Sequence, residues 1–279
     1  MLCSETYAPP ETPDAPPIVL IGGASSSMDW WHPDFCLALA ARAGRPVVRY
    51  DHRDTGQSPA SPAGRPGYTS ADLADDVLTL AAGRLHLAGV SMGGAIAQRV
   101  AIEHPDRVAS LTLIATTFAA GGPAGLPPAA PRVRASFATP PPDWHDRDAA
   151  VERVTADVAL YAGTVTADPD DIRDLVRRVF DRTTDMAAAQ TNHWILDDGR
   201  PVTGRTEDIT APTVVLHGTD DPLFPPAHGR ALAAAIPGAR HVPLPGLGHE
   251  VPPRPLWPVV IAEIAAVTAA GSAPGTTGR

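Results

Sequence analysis

A chain of 279 residues is long enough for one large α/β domain, or one domain carrying an insertion, and too short for two independent domains of that kind. Its formal charge of −9, with every basic residue an Arg, leaves no basic face to neutralise phosphates and argues against a nucleic-acid partner. An apolar fraction of 44% argues against disorder.

The N-terminus, Met1 to Thr6, lacks the basic, apolar and small-residue pattern of a secretory leader. Cys3 and Cys36, the only cysteines, show neither disulfide nor metal spacing and predict free thiols in a reducing compartment. The expected protein is cytoplasmic, with no membrane association, because no apolar run approaches spanning length.

Ile18 to Ile21 is apolar on both faces, as the interior of a parallel sheet requires, and ends at Gly22-Gly23. A helix is predicted from Trp31 to Ala43, and a strand from Pro46 to Tyr50 leads into a polar turn, Asp51 to Ser58. Ser70 is the expected N-cap of a helix reaching Ala82. The strand Leu85 to Val90 runs directly into a helix from Met92 to His104, and Val108 to Ala115 supplies another strand. Such alternation implies βαβ units, a mostly parallel sheet and ligands beyond the carboxyl ends of its strands.

The pattern breaks at residues 119–142, where Gly, Pro and Ala dominate as in a linker. Helical periodicity returns at 146–162, 170–181 and 186–195. Residues 120–205 are therefore expected to be a helical cap inserted into a core formed by 1–119 and 206–279. The sheet resumes at Thr213 to His217 and His241 to Leu244. A terminal helix spans Trp257 to Ala269, and Gly271 to Arg279 reads as a disordered tail.

Chemistry concentrates in Gly89-Val90-Ser91-Met92-Gly93, between a strand and a helix. A serine on so sharp a turn holds a strained backbone, so its close neighbours must be small. The turn lifts the Ser91 hydroxyl off the sheet and aims the Met92 amide at a developing oxyanion. Serine is a poor nucleophile without a base, and the base needs an acid to orient it. Asp220-Asp221-Pro222 and Gly248-His249 follow the next two strands, giving the order Ser, Asp, His in loops at strand ends.

Among ten histidines His249 is preferred for its loop position; His86 and His217 lie in strands, and His32, His104, His145 and His228 read as surface positions. His52 and His193 could approach the pocket. Asp221 is favoured over Asp220, which could cap a turn or face solvent. Gly22-Gly23-Ala24 fits a backbone donor to the oxyanion and also serves simply to turn the chain. There is no Walker A lysine, no complete dinucleotide fingerprint and no metal-like cluster, so neither cofactor nor metal is expected.

Taken together, Gly89 to Gly94, Gly218-Thr219-Asp220-Asp221-Pro222 and Gly248-His249 resemble the serine-hydrolase branch of the α/β-hydrolase superfamily. Ile21 to Ala24 and Arg49 to Ser58 narrow the resemblance to aclacinomycin methylesterase-like enzymes, which cleave a methyl ester on an aromatic polyketide. The resemblance implies Gly23 and Met92 as the oxyanion-binding amides, and a bracing role for Asp51 and Arg53. Ile21 stands where the wider superfamily usually has His. Relatives also begin with a β-hairpin, for which only Leu2 to Ala8 is available, so a shortened or missing edge strand is expected, from either a late start or a trimmed sheet edge.

The implied function is hydrolysis of a carboxylic ester or lactone of a moderately large apolar small molecule. Trp30, Trp31 and Trp194 are candidate substrate contacts, with packing of cap onto core as their other reading. Carbon–carbon bond hydrolysis and cofactor-free perhydrolysis would use the same three residues. A ligand-binding receptor on this fold would not need them. Oligomeric state is not legible.

Overall fold

Burial on both faces organises the molecule. In the computed structural model, which describes residues 1–9 and 11–272, seven strands form one sheet. They are β1 (Ser4–Tyr7), β2 (Ile18–Ile21), β3 (Val47–Tyr50), β4 (Leu85–Val90), β5 (Val108–Ile114), β6 (Thr213–Gly218) and β7 (Arg240–Leu244). Their spatial order is β1-β3-β2-β4-β5-β6-β7, with every pair parallel except β1 and β3. Every residue of β2 to β6 is buried, as strands covered on both faces must be.

Two helical layers supply the cover. Leu39 on α1 (Pro33–Ala43) packs against one face of the sheet; Leu73 on α2 (Ser70–Thr79) and Val100 on α3 (Met92–Glu103) pack against the other. Between β5 and β6 the chain forms α4 (Pro131–Ser136), α5 (Arg147–Tyr161), α6 (Pro169–Arg182) and α7 (Met186–Thr191), then a 3-10 turn at Asn192–Trp194. These helices share a small core of Val151, Val154, Val176 and Met186, against which Trp30 of the main body packs. Then α8 (Ala227–Ala235) joins α2 and α3, and α9 (Trp257–Ser272) joins α1.

Several expectations change in detail. Thr69, not Ser70, caps α2; it forms a reciprocal capping box with Asp72. Helix α1 begins at Pro33, with His32 Nδ1 accepting from the Asp34 amide. The stretch read as linker contains α4, started by Pro131 at its first turn. No helix was expected where α8 lies.

At the amino-terminal edge of the sheet β1 pairs with β3 alone, over Ser4↔Tyr50 to Tyr7↔Val47. Against the expected lack of a spanning-length segment, Arg254–Ser272 is long and apolar enough, by length and composition, to cross a bilayer. In this fold its Val260, Ile261, Ile264 and Val267 are buried in the core. Of the predicted tail, Gly271 and Ser272 close α9, and positions 273–279 lie outside the described residues.

Candidate active site

The turn joining β4 to α3 is sterically determined. Ser91 has φ +55° and ψ −119°, a conformation that L-residues rarely adopt. A Cβ on Gly89 would lie 2.2 Å from the Gly93 carbonyl oxygen, and one on Gly93 would lie 2.4 Å from that of Ile21. Only glycine fits at either place. The Ser91 amide donates to Ile114 O at 3.0 Å, and its carbonyl accepts from Thr116 Oγ1 at 2.8 Å, so both sides of the turn are fixed.

Beyond the ends of β6 and β7, two loops meet this serine. His249 Nε2 is 2.8 Å from Ser91 Oγ, and His249 Nδ1 is 2.9 Å from Asp221 Oδ2. The Asp221 side chain is wholly buried, and its Oδ1 accepts from the amides of Leu223 at 2.9 Å and Phe224 at 2.8 Å. Both carboxylate oxygens are therefore satisfied, as burial of a charge demands. Asp220 turns outward instead and accepts from Thr164 Oγ1 and N.

The His249 ring packs between Phe224 (centroids 5.2 Å apart) and Tyr161 (6.1 Å), and its amide donates to Tyr161 O at 2.8 Å. Beside it, burial pushes the Glu250 carboxyl above the usual range while Thr166 Oγ1 donates to it at 2.8 Å. His217 Nε2 donates to Phe224 O at 2.7 Å, and burial holds this imidazole below its ordinary pKa.

The loop after β2 forms the opposite wall. Gly23 faces Ser91 closely enough that a Cβ there would be 3.5 Å from the Ser91 Cβ. The backbone N–H groups of Gly23 and Met92 have no hydrogen-bond acceptor among the described residues.

A cavity of about 550 Å³ opens over Ser91 and His249. Trp30, Trp144, Tyr161 and Trp194 line it, and Phe137 and Trp194, both more than half exposed, stand 6.3 Å apart beside it. Trp31 is a correction: it is 1% exposed, packs on Phe35, and borders a separate cavity of about 530 Å³. His228 is also not a surface residue. It is buried, with Nδ1 2.8 Å from Thr117 Oγ1 and Nε2 2.9 Å from Pro127 O.

Of the two other histidines that could approach the pocket, neither reaches Ser91. His52 Nε2 donates to Gly22 O at 3.1 Å, and His193 Nδ1 accepts from the Ser25 amide at 3.0 Å, so both hold the loop after β2. Arg182 was missed in the sequence. From the last position of α6 it forms ion pairs with Asp29 (2.5 Å) and Asp51 (2.6 Å), binding α6 to the same loop system. No local signal marks this pairing, since Arg182 and Asp51 are 131 positions apart.

Residues 16–252 match the family described as alpha/beta hydrolase fold. The chain belongs to that family. It is 31% identical over 260 residues to rhodomycin D methylesterase DauP of Streptomyces sp. strain C5, covering 86% of each chain, and equally similar to DnrP of Streptomyces peucetius. These likenesses place it near the aclacinomycin methylesterase-like enzymes. Among solved structures, the enol-lactonase of Burkholderia xenovorans LB400 superposes with a TM-score of 0.63 at 26% identity, over 97% of this chain and 93% of that one. Relatives named for ester cleavage support hydrolase activity for the family member described here.

Proposed function

We propose that the protein is a serine esterase, cleaving a carboxylic ester or lactone of a moderately large apolar molecule through an acyl-enzyme on Ser91. The observation that carries this reading is the continuous hydrogen-bond chain Ser91–His249–Asp221, with its serine end open to the cavity.

In that reading His249 takes the Ser91 proton as the oxygen attacks the ester carbonyl. Asp221 holds the imidazole in the tautomer that leaves Nε2 free to accept, and stabilises the charged ring. The amides of Gly23 and Met92 bind the oxyanion; loss of one such donor costs on the order of 10²–10³ in rate. His249 then protonates the departing alcohol and activates water against the acyl group. Residues 120–205 act as a cap on the core of 1–119 and 206–279, and its Trp144 and Trp194, with Trp30 of the core, contact the apolar part of the substrate. The methylesterase relatives suggest a methyl ester as the first substrate to try.

Labelling with a fluorophosphonate, wild type beside Ser91→Ala, tests the assignment, with p-nitrophenyl and methyl esters of several sizes run in parallel. Labelling and turnover in the wild type, both lost in the variant, are the expected result. A folded wild type that neither labels nor turns over any ester would reject it.

A further inference from the structure

Ser25 lies two residues beyond Gly23, with φ +62°, in a conformation disfavoured for any residue bearing a Cβ. Such a residue persists only where its surroundings over-determine it. Here the restraints come from the far side of the chain. The Ser25 amide donates to His193 Nδ1 at 3.0 Å, and Trp194 Nε1 donates to Ser25 Oγ at 3.1 Å. Because Nδ1 accepts from an amide, the imidazole proton sits on Nε2, which donates to Arg53 O at 2.9 Å.

This grip is itself anchored. The neighbouring Asn192 is fully buried; its Nδ2 donates to Asp54 Oδ2 at 2.7 Å and its Oδ1 accepts from the Gly64 amide at 2.8 Å. Asp54 also accepts from Tyr68 Oη at 2.6 Å. The 3-10 turn at Asn192–Trp194 is thus bolted to the core and reaches back to the loop after β2. Within that loop Ser26 N donates to Gly23 O at 3.2 Å, so rotation of the Ala24–Ser25 peptide would open the turn that presents the Gly23 amide to Ser91.

We propose that His193 is a positioning residue for the oxyanion hole, holding Ser25 in its strained conformation so that the Gly23 amide stays aimed at the reacting carbonyl. The proposal rests on the esterase reading above. His193 does not touch the reacting atoms; it acts through Ser25. Burial lowers the pKa of its ring, favouring the neutral form that can accept, while the charge of Asp54 acts the other way; Tyr68 and His52 are edge-on to it, and the Arg53 carbonyl lies on Nε2. The adjoining Trp194 lies at the cavity and bonds the same serine, so substrate packed on that indole bears directly on the loop.

The test compares His193→Phe, which keeps a ring but has no acceptor, with His193→Asn, whose Oδ1 falls near the position of Nδ1. With a p-nitrophenyl ester, His193→Phe should lose about 10- to 100-fold in kcat, short of outright donor deletion, with KM little changed. Affinity for an alkyl boronic acid, which forms a tetrahedral adduct on Ser91, should fall by the same factor. His193→Asn should recover most of both. A folded His193→Phe with wild-type kcat, a kcat loss without loss of boronate affinity, or no recovery in His193→Asn would each overturn the proposal. If His193→Phe does not fold, His193→Ala takes its place under the same criteria. A wild type inactive on every ester would instead reject the esterase reading.

Discussion

Arg182, at the end of α6, and Asp51, just after β3, meet in a two-pronged ion pair with Nη1–Oδ2 at 2.7 Å and Nη2–Oδ1 at 2.6 Å. Asp51 has no exposed side-chain surface, and the amides of Met28 and Gln57 also donate to it. One carboxylate therefore ties together the loop after β2, the turn after β3 and the end of α6.

Removing one partner of a buried pair leaves an uncompensated charge, which typically costs 3–5 kcal/mol. Arg182→Leu should fall at the lower end, about 3 kcal/mol, because two amides still hold Asp51 and the guanidinium is partly exposed. Urea unfolding of the variant measures this. A loss below about 0.5 kcal/mol would mean that Asp51 is already satisfied without the arginine.

Asp220 and Asp221 are adjacent and chemically identical, so they make a controlled comparison. Asp221→Asn keeps the side-chain shape but lets the amide favour the wrong tautomer of His249; a drop in kcat on the order of 10⁴ is expected, as for analogous triads. Asp220→Asn should change kcat less than about threefold, since that carboxylate accepts from Thr164 and Thr219, away from Ser91. Equal losses in the two variants would contradict the roles proposed for them.

The strain at Ser91 offers a test that needs no substrate. At φ +55° a Cβ is costly and glycine is not. Ser91→Gly should therefore unfold at higher temperature than Ser91→Ala, by a margin of about 1 kcal/mol, although both lack the hydroxyl. Identical melting curves would show that the turn carries no measurable strain.

What could be read in the sequence follows the range of the forces involved. Ile18 to Ile21 is apolar on both faces and could only be an interior strand, and Gly89 to Gly93 encodes its own turn through steric exclusion. The chain order of Ser91, Asp221 and His249 puts them in loops at strand ends, and folding brings them within hydrogen-bond distance. Long-range pairings leave no such local mark. His193 and Ser25 are 168 positions apart, and nothing near either one announces the other. Trp31 failed as a pocket residue for a related reason: its neighbour Trp30 looks the same in sequence, yet the short 3-10 turn before α1 sends one indole to the cavity and the other into the core. The prolines around α4 concealed a helix because Pro131 stands at its first turn, where its missing N–H is harmless.

Acid sensitivity should come partly from a histidine remote from the reaction. His86 sits in β4 at 2% exposure, with Nδ1 2.8 Å from Ser110 Oγ, and burial, seconded by Arg45 and Arg84, pulls its pKa down to about 3. Its unfolded value is near 6.5, so between pH 6.5 and 3 the unfolded chain binds a proton here that the folded chain does not. The contribution to stability is complete above pH 6.5 and declines as pH falls toward 3, where it is lost. His86→Gln keeps a hydrogen-bonding side chain for Ser110 but cannot titrate. Its stability, measured by urea unfolding at several pH values, should decline less steeply than the wild type's across that window. Parallel curves for the two proteins would mean that His86 does not carry the shift and that other buried groups account for any acid loss.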